Sequence, residues 1–115
     1  MTRKVSLYVA DIVTYMEKAE AFVEGFDEAA FQSDEKTRFA VVRRLEVIGE
    51  AAKHVPEQIR EQFPEIPWRD MAGMRDKISH FYFGTDFSKV LLVVKEDIPR
   101  LKPSLMKIQE ALGNE

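Results

Sequence analysis

Apolar residues recur at Val5, Tyr8, Val9, Ile12, Tyr15, Met16, Ala19, Phe22 and Phe26, the i, i+3, i+4, i+7 spacing that turns one face of a helix towards a core. The spacing predicts a first helix over about 4–25. Gly25 and the stretch 27–33 read as a connection. Ser33 or Asp34 is a suitable N-cap for a second helix, with Asp34 and Glu35 in its first turn, where carboxylates complement the helix dipole. That helix runs to about His54, and Val41, Leu45, Ile48, Ala52 and Val55 lie on one stripe of it. Pro56 suits the first position of a short helix reaching about Phe63, and Pro64 and Pro67 bracket a turn.

From Trp68 the stripe Trp68, Met71, Met74, Ile78, Phe81 and Tyr82 predicts a third long helix ending near Gly84. Asp86 is a plausible N-cap for a fourth, carried by Phe87, Val90, Leu91, Val94 and Ile98. Pro99 ends or kinks it, and Leu101, Leu105, Ile108 and Leu112 carry a last segment. No stretch alternates as a strand would. The expectation is an all-α, up-and-down helical bundle of four long helices plus a short one. At 115 residues it forms a single domain over 1–115.

Composition narrows the class. Hydrophobic residues make up 45% and charged residues 32%, with 5 Gly and 5 Pro, a globular balance rather than a disordered or collagen-like one. The absence of cysteine removes disulfides, thiolate metal sites and cysteine nucleophiles, and favours a cytoplasmic setting. Seventeen Lys and Arg against twenty Asp and Glu leave a net charge of −3, so no global positive field draws nucleic acid or anionic lipid. A local basic site remains open. Asp11 ends the apolar run 5–10 before it reaches the length of an export signal. The longest stretch without Asp, Glu, Lys or Arg is 78–85, far short of a membrane span.

Candidate chemistry concentrates in the segment from Trp68 to Tyr82. On a helical wheel with Arg75 at 0°, the apolar set lies near −60°, Asp76 near about 100° and His80 near about 140°. Asp76 and His80 then share a face one turn apart. A carboxylate beside an imidazole fixes its tautomer, as a general acid/base histidine requires, and an arginine matches a phosphate bidentately. Tyr82, near Arg75 in angle, adds a phenol. The plain alternative is an exposed i, i+4 pair with a surface charge and a packed tyrosine. Glu46, Glu50 and His54, spaced i, i+4, i+8, offer metal-ligand types but point away from the core, which favours a solvated face or a subunit interface. Arg43, Arg44 and Lys53 are either a basic rim for an RNA backbone or solvated charge.

A resemblance adds what spacing leaves open. The segment 75–82, Arg-Asp-Lys-Ile-Ser-His-Phe-Tyr, is similar to the R-x4-H-x-Y signature of HepT proteins, a group of HEPN-domain toxins from toxin–antitoxin pairs. The block 37–51 resembles the family's second helix, 66–68 its lead-in to the motif helix, and 97–99 its later helix junction, over about residues 5–112. The resemblance implies an α-helical bundle that pairs as a two-fold homodimer and closes a cleft around both motif helices. It implies a metal-independent RNase without cofactor, acting on tRNA or mRNA, in which Arg75, Asp76 and His80 are catalytic. Asp76 stands where relatives commonly carry Asn. Tyr82 matches the tyrosine to which a minimal nucleotidyltransferase antitoxin transfers AMP, silencing the toxin. The alternative within this resemblance is a catalytically inactive homodimer that binds the nucleotidyltransferase or a nucleotide.

Overall fold

The computed structural model describes residues 3–74 and 86–113. Its helices are α1 (Val5–Phe22), α2 (Glu28–Ser33), α3 (Glu35–Lys53), α4 (Glu57–Gln62), α5 (Trp68–Ala72), α6 (Phe87–Leu92) and α7 (Ile98–Leu112), with a π-helical turn over Val93–Asp97 joining the last two. No strand occurs among the described residues. The all-α bundle expected from the periodicity is the fold observed.

The long helices begin and end for local reasons. Asp34 caps α3 by accepting from the Thr37 amide at 3.0 Å, and Glu35 adds a carboxylate in the first turn. At the other end the Arg60 guanidinium reaches back from α4 to the carbonyls of Ala52 and Val55 at 2.8 and 2.9 Å, adding a charged donor where Ala52 already accepts from the Val55 amide and tying α4 to the end of α3. Helix α1 stops at Phe22, a turn earlier than the apolar pattern suggests, and Gly25 follows with φ +78°. Glycine occupies that left-handed conformation without the steric cost a side chain would bring.

Helix α2 corrects the reading of 27–33 as a connection. Asp27 accepts from the Ala30 amide at 2.8 Å, a helix N-cap, and Phe31 is fully buried. Pro56 is the N-cap of α4 rather than its first residue. The α-helix expected to end or kink at Pro99 ends at Leu92, and the chain opens into the π turn just before the proline, where the Ile98 amide bonds the Val93 carbonyl five residues back.

Helices α3 and α7 both pack on α1. The start of α1 meets the end of α3 through Tyr8 and His54, and the end of α1 meets the start of α7 through a 2.6 Å Glu20–Lys102 ion pair, so both partners run antiparallel to α1. Val9, Ile12, Met16, Val41, Leu45, Ile48, Leu105 and Ile108 form the centre of one core. No polar or charged residue among those described is fully buried. No helix among the described residues is long and apolar enough to cross a membrane.

Candidate active site

The motif residues Arg75, Asp76, His80 and Tyr82 lie outside the described residues. What the structure does place is the framework on either side of the segment that carries them. On the N-terminal side, Trp68 is buried, its indole N–H donates to the Phe63 carbonyl at 2.9 Å, and its amide donates to the Ile66 carbonyl at 2.8 Å. The prolines at 64 and 67 keep the chain from continuing α4, and the indole bond satisfies a donor that would be costly to bury alone. Helix α5, with Met71 also buried, packs on α3.

On the C-terminal side, Asp86 precedes α6 as expected, although its side chain makes no capping bond. Phe87 is held between Phe31, edge to face at 6.4 Å, and the Arg38 guanidinium, 4.8 Å from its ring centroid. The Ser88 hydroxyl donates to the Glu28 carboxylate at 2.6 Å. Both flanks of the motif segment are thus fixed to α2, α3 and α4.

Between them opens a cleft of about 630 Å³. Met16, Met71, Met74, Val90, Val93 and Leu101 contribute to its walls, and Asp70, Lys89, Asp97 and Arg100 supply polar groups. Asp97 and Arg100 form an ion pair at 3.2 Å. Met74, on the wall of the cleft, is the last described residue before the motif in the sequence. Apolar walls with a few polar groups suit a ligand that presents both apolar surface and charge.

The other sequence candidates are drawn in separate directions. Glu46 lies 3.6 Å from Arg43, and Glu50 lies 3.8 Å from Lys53. His54 stacks on Tyr8 with ring centroids 4.7 Å apart. Among the described residues no three His, Asp or Glu side chains gather as a metal site. Arg44 lies over the Phe22 ring at 5.0 Å. Arg43 and Lys53 therefore meet carboxylates, which favours the solvated-charge reading of these two, whereas Arg44 packs on an aromatic face with its Nε buried. Elsewhere, the Asp34 carboxyl is held below its usual range by the Thr37 amide, and the Arg3 guanidinium is raised by its hydrogen bond to Asp11.

Sequence reasoning missed Arg38 as a contributor to the framework. Arg38 stood inside the block 37–51 without an assigned role, and its signal, a cation beside the capped start of a helix, is too common to single out.

The ribonuclease HepT-like family model matches residues 12–108. A Thermococcus cleftensis protein described as a probable ribonuclease HepT is 46% identical over 110 residues, covering 96% of this chain and 100% of the relative. Two Methanocaldococcus jannaschii proteins designated candidate RNases are each 42% identical over 106 residues, covering 92% of this chain and 91% and 88% of theirs. No solved structure matches. With the match spanning the helical core and the motif segment alike, the chain belongs to the ribonuclease HepT-like family.

Proposed function

We propose that this chain is a metal-independent endoribonuclease toxin of the HEPN type, silenced by AMP transfer to Tyr82. The observation that carries the reading is the intact Arg75, His80 and Tyr82 pattern within a chain of the ribonuclease HepT-like family. RNA is the substrate class.

In the proposed reaction His80 takes the proton of a ribose 2′-hydroxyl, or gives one to the departing oxygen. The 2′-oxygen bonds to the adjacent phosphorus, the bond from phosphorus to the 5′-oxygen breaks, and that oxygen leaves with a proton. Arg75 holds the phosphate and stabilises the charge that builds on it. Asp76 orients the imidazole. Because Arg75 and His80 do not share a helix face at ideal spacing, a homodimer that brings two motif helices together supplies the missing geometry. The protein acts in the cytoplasm.

The partner is a minimal nucleotidyltransferase. The Tyr82 phenol oxygen attacks the α-phosphorus of ATP and pyrophosphate leaves. The attached AMP sets a negative phosphate beside the cation meant for RNA, so cleavage falls.

The test is cleavage of a total tRNA pool in EDTA by wild type, Arg75→Ala and His80→Ala, with helicity checked for each. Cleavage by wild type that falls about 100-fold or more in both variants supports the reading. Inert wild-type protein, shown by mass spectrometry to carry no AMP on Tyr82, overturns it in favour of a binding-only homodimer.

A further inference from the structure

At the end of the bundle where α1 begins and α3 finishes, the side chains form a stack that the proposed cleavage chemistry does not use. Tyr8, half-buried on α1, and His54, the exposed C-cap residue of α3, lie nearly parallel, with ring centroids 4.7 Å apart and an interplanar angle of 12°. The Arg3 guanidinium also packs on the Tyr8 ring, 4.8 Å from its centroid. Three flat groups therefore share one small region of surface, and the histidine among them is open to solvent.

We infer that Arg3, Tyr8 and His54 form a second RNA contact, a platform on which an unpaired base of the substrate stacks. This rests on the reading of RNA as substrate. Every base has a π face, and aromatic and guanidinium planes take it whatever its hydrogen-bonding edge, which is how single strands are held without sequence preference.

The surrounding charge separates this platform from a phosphate-binding patch. Arg3 is paired with Asp11 at 2.7 Å, and the Lys53 ammonium lies 3.8 Å from Glu50. Lys4, exposed at the N-cap of α1, is a further cation one turn before Tyr8. Leu7, 45% exposed and next to Tyr8 in the chain, adds apolar surface. Cations matched by carboxylates bind a polyanion weakly, so the base and not the backbone supplies most of the affinity. The salt dependence is then shallow, with a slope of about −0.7 to −1.4 for one or two phosphates neutralised on a single strand.

The experiment measures fluorescence anisotropy of a labelled 2′-O-methyl oligoribonucleotide of about eight residues. This RNA lacks the attacking hydroxyl, so binding is read whether or not the protein cleaves RNA. Wild type is compared with His54→Ala and His54→Phe, and with an abasic oligonucleotide of equal length, after thermal melts show that the variants remain folded. His54 is exposed and outside the core, so His54→Ala tests the surface rather than the fold. The expected result is affinity about 5- to 150-fold weaker for His54→Ala, the range for one stacked base, and retained within about twofold for His54→Phe. The abasic strand should bind as poorly to wild type as the normal strand does to His54→Ala. Equal affinity of wild type and His54→Ala, equal binding of the abasic strand, or a salt slope of about −3 or steeper overturns the platform. Failure of wild type, shown by mass spectrometry to carry no AMP on Tyr82, to cleave RNA in EDTA overturns the RNase reading separately, leaving the binding comparison intact.

Discussion

Phe31 and Phe87 meet edge to face, with ring centroids 6.4 Å apart and planes at 78°. The contact joins α2 to α6, the first helix after the motif segment. Phe31 is fully buried, so Phe31→Ala removes a large apolar side chain and leaves a cavity, with an expected loss of about 3–5 kcal/mol. A double-mutant cycle with Phe87→Leu should return a coupling of about 0.5–1.5 kcal/mol, the part of the contact that depends on ring geometry. Urea unfolding checks both values, and additive losses would show that the two rings pack independently.

Arg38 completes the same corner. Its Nη1 donates to the carbonyls of Phe31 and Gln32 at the end of α2, while the guanidinium lies over Phe87. Its Nε is buried without a hydrogen-bond partner, a cost that offsets part of those gains. Arg38→Met keeps the apolar stem and removes the donors, so the expected loss is about 1–2 kcal/mol, less than the separate contacts suggest. A lysine ammonium has no flat face to lay on the Phe87 ring while its single nitrogen bonds the carbonyls. Arg38→Lys should therefore recover less than half of the loss in the same unfolding measurement.

How far the sequence reveals this molecule depends on the range over which each signal acts. Helix α3 is legible almost to the residue because a capping aspartate precedes a long apolar stripe. Helix α2 is not, since six residues with one buried side chain carry too little periodicity to outweigh their polar appearance. The π turn shifts the register by a single residue, and only Pro99 hinted at it. The motif is read through resemblance alone, and its residues lie outside the described ones. The pairing of Tyr8 with His54 is not legible, as it exists only once α1 and α3 lie antiparallel.

The cap at Asp34 gives the fold a defined acid sensitivity. The Thr37 amide hydrogen-bonds the ionised carboxyl, so its pKa in the folded protein lies below the usual value of 3.8. A group with a lowered folded pKa contributes stability that is present above the unfolded value and is lost as pH falls through the folded one. The contribution is thus complete near neutrality and declines below about pH 4. Asp34→Ala should lower Tm at pH 7 and differ less from wild type at pH 3, whereas Asp34→Ser, another good cap, should flatten the difference between the two pH values. Thermal melts at both values decide it; an equal Tm drop in Asp34→Ala at pH 3 and pH 7 would place the effect outside the ionised cap.

Pro103 sits inside α7, four residues after Pro99, and both are exposed. Having no N–H, Pro103 leaves the Pro99 carbonyl without its α-helical donor, and its ring crowds that carbonyl. Alanine in a helix interior is favoured over proline by about 3 kcal/mol. Against this, removing a proline frees the unfolded chain by about 0.4–1 kcal/mol. The helix term wins, so Pro103→Ala should stabilise the protein by about 2 kcal/mol and raise its Tm. Pro99 differs, because the π turn before it already sends the Ile98 amide to Val93 rather than Val94. Regular α-helical pairing across this junction would require that turn to rewind, which repositions Val94, a buried core residue. Pro99→Ala should therefore gain less than Pro103→Ala in parallel urea titrations. The reverse order would mean that the π turn is held by the proline alone and not by the packing of Val94 and Ile98 in the core.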